Sequence, residues 1–337
     1  MTRHTIIFGN GLGRALNNDF FQLQAAMREV WQDPGALSDM QRQLISTAIE
    51  GIDADGPTEE DQLLGTQLAL MACRLLSSAV RDDSLEHWLT AEAMSFPAAL
   101  QKYTYMVAKY FHRFDADSAI NSLWSDFIDH LVLFISDSKS HVATLNYDTL
   151  LYQPFNEART VGGRAIQLCS GFNGVLLDGY TRGLGFSEQN LERQRPNDQA
   201  FYMHLHGSPL FIDNDDGLAH KLSRPQLQEQ GGEARSHIVL TNGTMKSRVI
   251  QGSKVLQMYW DHLPQAIEDS DALVVFGYSG ADSHLNKLIR KNVEKRAIRV
   301  IERTHAPDIN REQYWQNLLG PTTQVLSFEN ILEFTEW

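Results

Sequence analysis

Residues 5–13 read Thr-Ile-Ile-Phe-Gly-Asn-Gly-Leu-Gly. Thr5 to Phe8 are β-branched or aromatic, as a short buried strand requires, and Gly9 stops the run where a glycine loop begins. A helix is expected to follow through Leu16 to Val30. The same alternation returns late in the chain. His141 to Leu145, Ala200 to Leu205, His237 to Leu240, Ala272 to Phe276 and Ile298 to Ile301 read as short strands. Val255, Leu256, Tyr259, Leu263 and Ile267 form one helical stripe between them, and Leu285, Leu288, Ile289 and Val293 form another. Strands alternating with amphipathic helices imply an α/β fold, a Rossmann-like, mostly parallel sheet covered by helices on both faces.

A long helical stretch separates the first strand from the others. Thr58 with Asp61 resembles a capping box, and Leu64, Leu68, Met71, Leu75 and Ala79 share one helix face. Cys73, on the apolar side of that helix, reads as a small core residue. From Ser118 to Ser136, Ile120, Leu123, Trp124, Phe127, Ile128, Leu131, Phe134 and Ile135 keep 3.6-residue spacing, which core packing explains in full. Residues 52–138 are therefore read as a helical insertion within one α/β domain spanning 1–337. Gly162 to Gly185 and Asp213 to Gly232 are glycine-rich and polar, and read as loops.

The composition narrows the functional classes. With 337 residues, 42% hydrophobic and 21% charged, the chain resembles an ordinary globular protein. A formal charge of -13 disfavours direct nucleic-acid binding and adhesion to anionic membranes. Met1 to Arg3 run directly into Ile6 to Phe8 without the layout of a signal peptide, and no apolar run approaches ~18 residues. Cys73 and Cys169 are too few for a disulfide framework or a four-cysteine zinc site, so a cytoplasmic protein is expected.

In an open parallel sheet, ligands bind beyond the carboxyl ends of the strands. The residues there are Gly9-Asn10-Gly11-Leu12-Gly13, Asn146-Tyr147-Asp148, His206-Gly207-Ser208 and Gly277-Tyr278-Ser279-Gly280-Ala281-Asp282. Glycines in the first loop would let backbone N–H groups approach a pyrophosphate, although a plain strand-to-helix turn needs them equally. Arg14 reads as a solvated arginine at the helix start. Asn146 would project from a strand end with Asp148 nearby, and turn formation accounts for both residues as well. His204 and His206 fall on one face of their strand, yet no third ligand of matching spacing points to a metal. Asp282 or Ser283 would cap the following helix, while Gly277 and Gly280 around Ser279 suit backbone approach to a ribose or phosphate oxygen.

In this order the motifs resemble the sirtuin superfamily, particularly the bacterial sirtuin-like NAD-cleaving proteins of anti-phage defence. Gly9 to Gly13 is similar to the family's Gly-Ala-Gly phosphate loop, with Asn10 in place of alanine. Thr144-Leu145-Asn146-Tyr147-Asp148 resembles the Thr-Gln-Asn-Ile-Asp segment. His206-Gly207 resembles the His-Gly pair that holds the catalytic base, and Gly277-Tyr278-Ser279 the Gly-Thr-Ser loop at the adenosine side. The resemblance spans residues 1–30 and 140–305. The acidic-aromatic-arginine cofactor loop of the deacetylases is not recognisable, and the cysteines of their structural zinc are missing.

The resemblance implies an NAD glycohydrolase in which water is the nucleophile and NAD the substrate, with no structural zinc or other metal. Asn146 and His206 would be catalytic: Asn146 would hold water and ribose, and His206 would contact the ribose hydroxyls and act as base. Gly9, Asn10, Gly11, Gly13, Asp148, Gly207, Gly277, Tyr278, Ser279 and Asp282 would bind the dinucleotide, with Asp148 at the nicotinamide end. Family behaviour further implies a homo-oligomer, a HerA-like ATPase partner and a toxic activity held silent until triggered. A catalytically idle NAD or ADP-ribose sensor and a divergent deacylase are the competing expectations.

Overall fold

Alternation along the first strand sets the architecture. In β1 (His4–Phe8) every residue is buried, with Ile6 and Phe8 in one apolar cluster and Ile7 in the other, because successive side chains leave opposite faces of a strand. A computed structural model describes residues 2–49, 51–52, 55–79, 90–114, 122–156, 160–161, 164–166, 168–172, 185–191, 200–215, 217–232, 235–293, 296–305 and 310–337. After β1 come α1 (Gly11–Leu16), α2 (Leu23–Gln32), α3 (Asp39–Ser46), α4 (Leu64–Ala79), α5 (Ala91–Tyr110) and α6 (Ser122–Ser138). Then follow β2 (His141–Thr144), α7 (Tyr152–Asn156), β3 (Thr160–Val161), β4 (Arg164–Ala165), β5 (Tyr202–His204), β6 (Gly207–Asp213), β7 (Ala219–Lys221), α8 (Arg224–Glu229) and β8 (Ser236–Ile238). The chain closes with α9 (Lys246–Gln251), α10 (Lys254–Glu268), β9 (Ala272–Phe276), α11 (Ser283–Asn292), β10 (Ala297–Arg303), α12 (Arg311–Leu319) and β11 (Thr323–Phe328).

Six strands form a wholly parallel sheet in the order β11-β10-β9-β1-β2-β5, so the Rossmann-like α/β expectation holds. The chain builds outward from β1 through β2 to β5, then returns to the opposite flank as β9, β10 and β11. This reversal opens a crevice at the carboxyl ends of β1, β2 and β9, where ligands of such sheets bind. One sheet face packs Ile6, Phe8, Val142, Val274 and Phe276 with residues of α2, α5 and α6. The other packs Ile7, Ala143, Leu273, Val275 and Val300 with residues of α10, α11 and α12. At the carboxyl terminus, Trp337 lies 5.6 Å from the Phe127 ring and 5.8 Å from that of Phe276.

Several local expectations are corrected. The helix expected from Leu16 to Val30 is two helices: the Asn17 side chain accepts the N–H of Phe20 at 3.0 Å, and the intervening turn delivers Phe21 to the core. Asn17-Asn18-Asp19 favours that turn over continued helix. The segment His237 to Leu240 does not join the main sheet. Its strand, β8, pairs with β6 in a separate antiparallel sheet of order β7-β6-β8. Much of the stretch 213–232, read as a loop, is therefore the β6–β7 hairpin followed by α8, which Ser223 caps. The Thr58–Asp61 box is absent; Gln62 Oε1 accepts from the N–H groups of Thr58 and Glu59 at 2.7 and 3.0 Å.

The apolar stripe of α4 does not face the core. Leu64, Leu68, Met71 and Leu75 are 37%, 50%, 46% and 69% exposed, while Leu63, Thr66 and Gln67 are buried. Helical residues also precede position 52, since α2 and α3 pack on α5. Trp124, Phe127, Ile128, Leu131 and Ile135 of α6 are buried as their spacing predicts. Ser118 and Ile120 lie outside the described residues, as does most of 162–185. Among the described residues no helix is long and apolar enough to cross a membrane.

Candidate functional site

A cleft of about 1050 Å³ opens at the carboxyl ends of the central strands, at the upper end of the ~300–1,000 Å³ usual for small-molecule sites. Its floor is made by two interlocked glycine loops. The N–H of Gly9 donates to the Phe276 carbonyl at 2.8 Å and that of Gly11 to the Gly277 carbonyl at 2.7 Å. A Cβ on Gly9 would sit 2.7 Å from Gly277 O, and one on Gly11 2.6 Å from Gly277 Cα. Gly277 itself has φ +61°, with Gly11 Cα 2.9 Å from where its own Cβ would be. Close approach of backbone to backbone thus demands all three glycines, and they bring the ends of β1 and β9 together beneath the cleft.

Two residues expected to bind a dinucleotide do not line this cleft. Gly13 faces the Phe21 ring, 2.4 Å from its missing Cβ. Gly207 has φ +85°, and its Cβ would come within 1.6 Å of the His237 carbonyl oxygen, so glycine is needed there to fit β8 against β6. Asn10 lines the cleft while its amide donates to the Phe21 carbonyl at 2.7 Å, which secures the turn after α1. Tyr278 also lines it, but its hydroxyl donates to Asn286 Oδ1 at 3.0 Å and accepts the Asp282 N–H at 2.8 Å, bracing the loop into α11. Gly9, Gly11, Asn146, Asp148, His206, Gly277, Ser279 and Asp282 all line the cleft.

At the β2–β5 end, polar groups converge from distant segments. Asn146 follows β2, and its Nδ2 donates to the Gly9 carbonyl at 3.1 Å. Its Oδ1 is buried and has no hydrogen-bond partner among the described residues, which costs ~1–3 kcal/mol when nothing compensates it. The Asp148 carboxylate accepts the Leu150 N–H at 3.1 Å. Burial nevertheless pushes its pKa up to about 7, against the lowering pull of that N–H and of the Asn146 amide. The Tyr147 phenol, desolvated and facing the negative charges of Glu60 and Asp282, is raised well above its ordinary range and donates to the Val239 carbonyl.

His206 lies beyond β5 in a turn fixed from three sides. Leu205 N–H donates to Thr144 O at 2.8 Å, Trp260 Nε1 to Leu205 O at 2.8 Å, and Val239 N–H to His206 O at 3.0 Å. The ring's Nε2 is 2.9 Å from Asp282 Oδ2. Asp282 also caps α11, its Oδ1 accepting the N–H groups of His284 and Leu285 at 2.9 and 3.1 Å. Burial alone would raise the Asp282 carboxyl, but His206, the Lys246 ammonium and the Leu285 N–H together hold it well below the usual carboxylate range. His204, expected on the same face as His206, is buried inside the protein with its ring 5.3 Å from that of Phe211. Burial, with the charge of Lys221 adding to it, lowers its pKa to about 3, so it stays neutral.

Sequence reasoning passed over Lys246, Glu60 and the whole β10 end of the cleft. Glu302, Arg303 and His305 at and just after the end of β10, with Arg311 of α12, line the cleft there. Glu302 accepts from Arg311 Nε at 2.8 Å and Trp315 Nε1 at 2.8 Å. The signal for this group was available, because Glu302 to His305 directly follow a strand correctly read at Ile298 to Ile301. Lys246 and Glu60 carried none, since neither ends a strand of the main sheet. Among the described residues no group of three or more His, Cys, Asp or Glu is placed to hold a metal ion.

The arrangement suits an elongated, anionic ligand lying across the crevice. Glycine loops stand at its middle, an amide–imidazole–carboxylate group at one end and arginines at the other. Residues 140–318 match a family profile described as a SIR2-like domain. A solved structure reported under the words "Structural Basis for the Mechanism and Regulation of Sir2 Enzymes" aligns over 98% of this chain and 89% of its own, at 9% identity and a TM-score of 0.39. No curated protein matches the chain.

Proposed function

The chain belongs to the SIR2-like family, and from that premise we propose that it binds NAD along this cleft and hydrolyses the bond between nicotinamide and ribose. The carrying observation is the buried Oδ1 of Asn146, which has no hydrogen-bond partner among the described residues, in the cleft that His206 also lines. A ribose hydroxyl or a water molecule would supply the missing donor. The glycine loops support a pyrophosphate at the middle of the cleft, and the β10 end supports the adenosine half. Asp148, titrating at about 7, is available as both donor and acceptor for a carboxamide.

Breaking the glycosidic bond releases neutral nicotinamide and leaves positive charge on the ribose, which water then captures. The chain's part in this is positional and acid–base. Asn146 holds the hydroxyl or water through its free Oδ1, and its Nδ2 bond to Gly9 fixes the amide. His206 takes the proton, a task worth ~10²- to 10⁴-fold in rate. The same reading carries a regulated, NAD-depleting role in bacterial anti-phage defence, with self-association and a HerA-like ATPase partner, because unrestrained NAD loss would kill the host.

Incubating the full chain with NAD, alone and with candidate partners, and separating products by chromatography tests the reaction. Nicotinamide and ADP-ribose are expected. Tight NAD binding without nicotinamide release under any condition would refute hydrolysis and favour a sensor.

A further inference from the structure

Beyond the amide and the histidine, the cleft wall holds a line of charges drawn from separate parts of the chain. His206 Nε2 is 2.9 Å from Asp282 Oδ2, the same oxygen is 3.7 Å from Lys246 Nζ, and Lys246 Nζ is 3.3 Å from Glu60 Oε2. The side chains of His206, Asp282 and Lys246 are only 8%, 5% and 10% exposed. They come from the turn after β5, the N-cap of α11 and the first residue of α9, while Glu60 opens a short 3-10 helix in the helical layer. We propose that Asp282 and Lys246 are positioning residues for the hydrolysis proposed above, orienting His206 and making its protonated form the electrically balanced state of the buried chain.

Asp282 divides its work between two oxygens. Oδ1 is committed to the first N–H groups of α11, which fixes the carboxylate on a helix end and turns Oδ2 toward His206 and Lys246. Nε2–H of the neutral ring then donates to Oδ2, which leaves Nδ1 as the basic nitrogen. With that ring neutral, Glu60, Lys246 and Asp282 sum to one negative charge. When His206 takes up a proton, the four groups sum to zero. Asp282 thus sets a buried counter-charge 2.9 Å from the ring, while Lys246 links that carboxylate to Glu60, whose side chain is 26% exposed at the rim of the chain.

Among the described residues, Tyr147 and Asp148 at the end of β2 line the same cleft, the His237 carbonyl of β8 packs on Gly207, and His284 of α11 lies against the Trp260 ring that bonds Leu205. His237 is itself held by Asp213 and Ser253 at 2.8 and 2.7 Å. Arg14, Arg303, His305 and Arg311, with Glu302 and Glu329, also line the cleft.

The two positioning residues carry opposite charges, so their removal has opposite consequences, which a merely structural role would not produce. The test is the ring titration of His206 by NMR in the full chain with isotope-labelled histidine, with H206A identifying the resonance, alongside kcat/KM for NAD against pH. D282N keeps a good helix cap and is expected to lower the His206 midpoint by about one pH unit. K246M is expected to raise it by a similar amount, and K246R to restore the wild-type value. The acid limb of kcat/KM should move with each midpoint. Shifts in the same direction, or none in either variant, overturn the proposal whether or not NAD is cleaved. Opposite shifts with no nicotinamide release from any form support the charge chain and overturn the hydrolysis reading instead.

Discussion

Replacing Asp148 with asparagine should stabilise the protein above neutral pH. Asp148 is 5% exposed, and burial raises its carboxyl from 3.8 to about 7. Below about pH 4 the group is protonated in both folded and unfolded chains, and it contributes no pH dependence. Between about 4 and 7 the unfolded chain releases this proton while the native chain retains it. Stability therefore falls as pH rises through this window and levels off above it. At ~1.36 kcal/mol per pH unit, the rise amounts to about 4 kcal/mol. Asparagine is nearly isosteric, can still accept the Leu150 N–H and carries no charge to bury. D148N should thus match wild type near pH 4 and exceed it by about 2–4 kcal/mol at pH 8. Urea unfolding of both proteins at half-unit steps from pH 4 to 9 measures the difference directly. A difference that is constant with pH, or that favours wild type increasingly as pH rises, would refute the assignment of a buried carboxyl forced to ionise.

H206A and N146A are each expected to lose ~10²- to 10⁴-fold in NAD turnover, measured as nicotinamide released, and circular dichroism should report an unchanged fold. Wild-type rates in either would remove the pair from the reaction. G207A should destabilise by about 3 kcal/mol or more, because its Cβ would lie 1.6 Å from the His237 carbonyl oxygen at φ +85°. G243A, with nothing within 4 Å, is the control and should stay within about 0.5 kcal/mol of wild type in thermal unfolding. E302Q weakens the pair with Arg311 and should lower the urea midpoint by the equivalent of about 1–3 kcal/mol; an unchanged midpoint would show that the bond contributes nothing.

Strands and helices carrying a simple period were legible because burial on a regular element repeats in the sequence. Val255 to Ile267 and Trp124 to Ile135 met the core as their spacing required. The same rule failed for α4, where Leu68 and Leu75 are exposed. Periodicity identifies an apolar face but not what lies against it. β6 was hidden by its own sequence, since Gly207-Ser208-Pro209 has no strand-like alternation and the element is defined by its pairing with β7 on one side and β8 on the other. Lys246 and Glu60 were invisible for a related reason. Their meaning depends on Lys246 meeting both Glu60 and Asp282 across long separations in the chain, and nothing local to either residue announces a partner.

The glycine motifs change in weight once their surroundings are known. Gly9, Gly11 and Gly277 would be demanded by the packing of one loop on the other even if no ligand ever entered the cleft. Their presence therefore establishes how β1 and β9 are joined at their ends, and says less about phosphate than their order in the sequence suggested. Asn146 differs. A turn would have been satisfied by the Thr144 hydroxyl and the Gly9 carbonyl, yet its Oδ1 stays buried with no partner among the described residues. Nor does capping alone account for Asp282, whose second oxygen faces an imidazole and an ammonium. The functional reading thus rests on polar groups whose local structural duties leave one atom over, Oδ1 of Asn146 toward the cleft and Oδ2 of Asp282 toward His206 and Lys246.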